Sequence, residues 1–141
     1  MFRQIHRHPV LVANRTHATS TDTVHRVRLL SGISVDQLIP AVFNSATFAL
    51  SEILGRSYGG GILELEPTEA RALPIPPPEL IDPGLGERVD KLLRDNDADG
   101  ALELVDTEVL VGLMGWSPQR VADMRAAWVT LRDRRLGRGK R

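Results

Sequence analysis

The chain has no cysteine, and that absence excludes disulfide frameworks, thiolate metal sites and cysteine nucleophiles together. Any metal ion needs oxygen or histidine ligands. No apolar run approaches the roughly 18 residues that a membrane span requires. The opening residues, Met1-Phe2-Arg3-Gln4-Ile5-His6-Arg7-His8, carry no apolar core of a secretory leader. A soluble, cytoplasmic protein is the expectation. Net charge is also missing, since Lys and Arg total 18 and so do Asp and Glu. No serine sits in a nucleophile elbow and no carboxylate pair stands on a recognisable catalytic scaffold. Catalysis by this chain alone is therefore not expected.

What remains is enough material for one domain. At 141 residues, 42% of them apolar, the chain can bury a modest core. The zero net charge hides a segregation along the sequence. Between Arg3 and Arg28 lie five arginines and all four histidines against one acid, Asp22, while Arg132 to Arg141 holds six cations and only Asp133. The middle is acidic. Cationic ends can meet a polyanion whatever the net charge, because phosphate binding depends on local charge. Arginine-rich termini are equally often plain solvated tails.

Apolar spacing and turn residues predict the elements. Pro9-Val10-Leu11-Val12-Ala13 reads as a strand, residues 14–22 as a polar loop and residues 24–30 as a second strand. A helix is signalled from about Ser34 or Pro40. Within it Val42, Phe43, Ala46, Ala49, Leu50, Ile53 and Leu54 recur at helical spacing, and Gly55 supplies a C-cap. Ile62-Leu63-Glu64-Leu65-Glu66 reads as a short strand. Leu73-Pro74-Ile75-Pro76-Pro77-Pro78 reads as a stiff, extended exit from the first unit. From Asp82 three short helices are expected, the last opened by an N-cap at Ser117 and a proline at Pro118. The fold class is α+β, with a short-stranded recognition-type unit over residues 1–79 and a helical segment over residues 80–141.

Two clusters carry chemistry. In Gly55-Arg56-Ser57-Tyr58-Gly59-Gly60-Gly61, backbone N–H groups can face an anion, Arg56 offers a fork for phosphate or a guanine edge, and Tyr58 can stack on a base. Three consecutive glycines are tolerated where the backbone takes positive φ or closely approaches another surface. The loop follows a helix and enters a strand, so it is not a nucleotide-binding P-loop. A flexible helix-to-strand turn is the plain alternative. The second cluster places Arg15, Thr21, His25 and Arg26 around one polar loop, where such side chains commonly contact phosphate and sugar. His6, His8, His17 and His25 lack a compact ligand pattern, and no metal site is assigned to them. A competing motif runs from Asp95 to Asp106. It fits a calcium loop at its first, third and fifth acids and its sixth-position glycine, but has Asp106 in place of the twelfth-position glutamate. The same residues also read as a helix end, an Asp/Asn turn and a new helix N-cap at Asp99, and a calcium-binding or protein-interaction module stays open as the second reading.

Several strings carry a resemblance to a family. Thr21-Asp22-Thr23-Val24-His25-Arg26-Val27, Phe43-Asn44-Ser45, Gly55-Arg56-Ser57-Tyr58-Gly59-Gly60-Gly61, Leu63-Glu64-Leu65-Glu66-Pro67 and Leu73-Pro74-Ile75-Pro76 resemble the C-terminal region of bacterial adenine-specific DNA methyltransferases of the Eco57I and TaqI type. So does the ending, with Ala127-Trp128 and Leu131-Arg132-Asp133-Arg134-Arg135. The resemblance implies a parent that moves a methyl group from S-adenosylmethionine to adenine N6 in a restriction–modification or related defence system. It also implies double-stranded DNA and the parent's catalytic domain as partners. The chain lacks the Asn/Asp-Pro-Pro-Tyr/Phe motif that holds a flipped adenine, and it lacks a methyl-donor loop placed after a strand. The expectation is a DNA-recognition part in which Arg56, Ser57, Tyr58, Gly59, Gly60 and Gly61 face DNA and Arg15, Thr21, His25 and Arg26 support them. Both catalytic motifs, and the cofactor, are expected upstream of Met1.

Overall fold

The helix expected from Ser34 is broken in two, and Asn44 sets the break. In the computed structural model, which describes residues 1–16 and 18–138, α1 spans Val35–Val42 and α2 spans Ser45–Leu54. Ser34 opens α1 with a capping box, its side chain accepting from the Gln37 N–H while Gln37 accepts from the Ser34 N–H, so two orphan donors are satisfied at once. The Asn44 side chain then donates to Ala41 O at 2.8 Å and accepts from the Thr47 N–H at 2.8 Å. It closes one helix and starts the next. A purely apolar periodicity cannot register this break, because both halves keep their apolar faces on the same core.

After α2 come β2 (Arg56–Tyr58), a 3₁₀ turn at Gly59–Gly61 and β3 (Ile62–Glu64). With β1 (Gln4–Ile5) they form a three-stranded antiparallel sheet in the order β1-β3-β2. Ile5 sits opposite Leu63, and Tyr58 opposite Ile62. The two strands expected at residues 9–13 and 24–30 do not form. Their place beside β3 goes to Gln4–Ile5, which sends Ile5 into the core. Residues 9–13 and 24–30 instead run extended, held by scattered bonds such as Phe2 N–H to Val10 O and His25 N–H to Met1 O. Val10, Val12, Val27, Leu29 and Leu30 are left exposed. Pro9 has no N–H for a ladder, and residues 24–30 keep period two only in part, so neither segment offers a continuous apolar face.

The chain continues through α3 (Pro67–Ala72), an extended proline segment, α4 (Pro83–Arg94), α5 (Ala98–Val105), a π-helical stretch at Asp106–Leu113, and α6 (Pro118–Arg138). Ser117 caps α6 as expected, accepting from the Arg120 N–H. The last helix is long rather than short, at 21 residues. It packs along α2 and reaches the glycine turn. His17 and residues 139–141, counted above in the basic stretches, lie outside the described residues.

The main core unites Phe43, Phe48 and Ala49 with Leu85 and Val89 of α4, Leu102 and Val105 of α5, and Trp128 of α6. It draws on residues from both sides of position 79. His8 covers its edge, stacked on Phe48 with centroids 5.0 Å apart, and burial lowers the His8 pKa. Gly86 marks the tightest crossing. A Cβ there would lie 2.2 Å from Asp36 O, so α1 and α4 can touch backbone to backbone only with glycine at this position. A second cluster, Ile5, Leu63, Leu65 and Leu73, seats the sheet against Leu50 and Leu54 of α2.

The acidic stretch from Asp95 to Asp106 is not a calcium loop. Asp97 caps α5, accepting from the Gly100 N–H at 2.9 Å, and residues 98–105, which would have to wrap an ion, are helical. Asp106 is buried and faces Ser45 at the start of α2, accepting from the Ser45 N–H at 2.8 Å and from its hydroxyl. The capping chemistry that resembled ion ligands is spent on helix ends, and Asp97 rather than Asp99 is the N-cap of α5.

Candidate nucleic-acid interface

The N-terminal segments and the edge strand β2 carry several of the exposed cations. Residues 11–15 and 24–29 flank an open groove of about 700 Å³, whose lining includes Asn14, Arg15, Ser20, His25, Arg26 and Arg28. Arg15, Arg26 and Arg28 are exposed. Arg15 reaches Asp36 only at 3.5 Å with a side chain 74% exposed, and Arg26 Nε reaches Ser20 Oγ at 3.4 Å. Such loose, solvated partners hold a guanidinium weakly, so a stronger anion can take it over. Thr21 is exposed, with its hydroxyl 2.6 Å from that of Thr23. His25 is half-buried and its Nε2 is taken by Leu65 O at 2.7 Å. Its backbone carbonyl also accepts from the N-terminal ammonium at 2.9 Å. His25 therefore pins the groove wall to β3 through Nε2 and leaves only Nδ1 for a ligand.

Arg56, Ser57 and Tyr58 stand on the exposed edge strand β2, away from the residues that line the groove. Arg56 donates through Nε and Nη2 to Glu69 Oε1 at 3.1 and 2.9 Å. That bond to Glu69 is the main reason the Arg56 pKa lies above its ordinary value. Burial pushes the Glu69 carboxyl up, but hydrogen bonds from its own N–H, from Arg56 and from the Glu66 N–H outweigh it, and the pKa is lowered. Gly59 and Gly60 are exposed. Gly61, expected in the DNA-facing loop, is buried instead, with φ +74°, and a Cβ on it would sit 3.2 Å from the Leu136 backbone. Positive φ and close approach both explain the glycine run at this residue, but the surface approached is α6.

Two residues that matter here carry no obvious signal in isolation. Glu69 stands in the first turn of a helix led by Pro67, and a proline followed two positions on by an acid is a recognisable helix start. Arg135 belongs to the stretch read above as basic tail, yet it is 4% exposed. It bonds Glu52 through Nε and Nη2 at 2.8 and 2.6 Å, His6 O at 3.0 Å, and Gly61 O. It ties together α2, the end of β1 and the glycine turn. Its spacing was the available clue, since Val121, Trp128 and Arg135 recur every seven residues along the buried stripe of α6.

The glycine turn comes after strand β2 but opens no helix at a sheet edge, and its inner side is filled by α6. Among the described residues, no group of three or more histidines, aspartates or glutamates is gathered to hold a metal ion. No helix there is long and apolar enough to cross a membrane.

The described residues form an α+β unit with an exposed edge strand and an arginine-lined groove. The chain matches the family described as type II methyltransferase M.Eco57I, C-terminal domain, over residues 1–110, and it belongs to that family. The α+β class expected from the sequence and the resemblance to Eco57I-type methyltransferases both hold. Among curated proteins and solved structures no significant match was found.

Proposed function

We propose that this chain contacts double-stranded DNA as the recognition end of an S-adenosylmethionine-dependent N6-adenine methyltransferase. The parent serves a bacterial restriction–modification or related defence system in the cytoplasm. Membership of the methyltransferase C-terminal family carries this reading. Arg15, Arg26 and Arg28 beside the hydroxyls of Ser20 and Thr21 give it a physical basis, because loosely held, exposed guanidinium groups suit phosphate contacts that fix register on a duplex. Arg56, Ser57 and Tyr58 on β2 form a second contact. Base flipping and methyl transfer fall to a catalytic part outside these residues, which carry no adenine-holding motif.

Fluorescence anisotropy of a labelled duplex, titrated with the chain at several salt concentrations, tests the reading. Binding is expected to weaken steeply as salt rises, and Arg26→Ala is expected to lower the logarithmic salt slope by about one. A folded chain that binds no duplex at low salt overturns it.

A further inference from the structure

Arg56 and Glu69 meet in a geometry that separates two classes of DNA contact. With Nε and Nη2 both donating to Glu69 Oε1, one side of the guanidinium is occupied. Its outer end, Nη1 and the second Nη2 hydrogen, is left for a ligand. The carboxylate stands in the first turn of α3 and is the more buried partner, with a side chain 16% exposed against 63% for Arg56. Ser57 pairs with inward-facing Leu63, so Arg56 and Tyr58 share the opposite, outward face of β2.

A phosphate contact draws its strength from charge and released counterions, and a guanidinium already neutralised by a carboxylate gains least from it. A base edge is uncharged and needs oriented donors. We infer that Arg56 reads a guanine, donating through its outer fork to O6 and N7 in the major groove. Glu69 is the positioning residue that fixes the fork. The inference rests on the DNA-contacting role proposed above and adds a division of labour: the arginines of the groove bind phosphate, and Arg56 on the edge strand reads sequence.

The test selects bound duplexes from a pool randomised in its central base pairs, sequences them, and rebuilds the preferred duplex with 7-deazaguanine at each selected guanine. The wild-type chain is expected to select a guanine that Arg56→Ala does not. The loss of preference is roughly 10- to 100-fold at that one position, with the salt slope unchanged. Replacing guanine N7 there weakens wild-type binding and leaves Arg56→Ala indifferent. Glu69→Ala erodes the same preference, and adding it to Arg56→Ala produces no further loss. Glu69→Gln, which keeps an acceptor, restores part of it. If Arg56→Ala weakens every duplex equally and lowers the salt slope by about one, Arg56 is a phosphate contact and the inference fails. It fails equally if selection is unchanged while binding persists, with the DNA-contacting role intact. A folded wild-type chain that binds no duplex removes that role and the inference together.

Discussion

The two arginine-rich stretches are alike in composition, yet particular arginines in them meet different fates. Near the N-terminus Arg15 and Arg26 lie in the open on irregular backbone, with partners at 3.5 and 3.4 Å. Near the C-terminus Arg132 lies over the Trp128 ring at 4.7 Å and Arg135 is buried against Glu52, whose side chain is 3% exposed. The difference is made by secondary structure. A long helix returns to the core every seven residues and carries whatever stands there with it, whereas an irregular segment leaves its cations in water. Charge composition alone therefore locates candidates for phosphate binding, and helical phase decides which of them are free.

Predictions that sharpen the contrast run from the buried end outward. Arg135→Ala leaves the Glu52 carboxylate and the Gly61 carbonyl without their partner, and is expected to lower stability by about 3–5 kcal/mol, measured by urea denaturation. Gly86→Ala drives a methyl group into the Asp36 backbone. A loss of about 3 kcal/mol, the upper end for overpacking, is expected in the same measurement. Asp106→Ala strands the N–H and hydroxyl of Ser45, with an expected loss of about 1–3 kcal/mol. By contrast, Arg15→Ala removes a solvated ion pair and is expected to change stability by no more than about 0.5 kcal/mol, while weakening duplex binding.

Asp106 also predicts a pH dependence. Burial raises its pKa above the ordinary 3.8, against hydrogen bonds from Ser45 and the field of Arg125. The folded chain thus holds this proton more tightly than the unfolded one. The associated stability is fully present below the ordinary value and is lost as pH rises through the raised one. Asp106→Asn cannot titrate. Denaturation of both proteins from neutral pH down to about 4 is expected to show the wild type gaining relative to the variant on acidification.

How much of this was legible in the sequence depends on the range of the interaction. Ser34 and Ser117 act on neighbours a few residues away, and the helices start where the sequence placed them, whereas Gly61 answers to α6, far along the chain. The helical arrangement from Asp82 onward follows from local apolar spacing. The strands at residues 9–13 and 24–30 were misread because a strand is defined by its partner, and β3 chose Gln4–Ile5. The stretch from Asp95 to Asp106 supports two readings in the sequence, calcium loop or turn and helix cap, because Asp and Asn cap helices with the same oxygens that bind ions. Arg135 escaped notice because its partners are set by tertiary packing, with Glu52 eighty-three positions away. Of the candidate site, the clustering of Arg15 and Arg26 was readable, whereas the hold of Glu69 on Arg56 needed the turn between β3 and α3.

Hydrogen–deuterium exchange of the chain with and without a duplex tests the contrast most directly. Duplex is expected to slow exchange in residues 14–16 and 18–28 and along β2, and to leave residues 128–138 of α6 unchanged. Protection confined to α6, or no protection in a sample shown to bind the duplex, contradicts the assignment of DNA contact to the open N-terminal arginines.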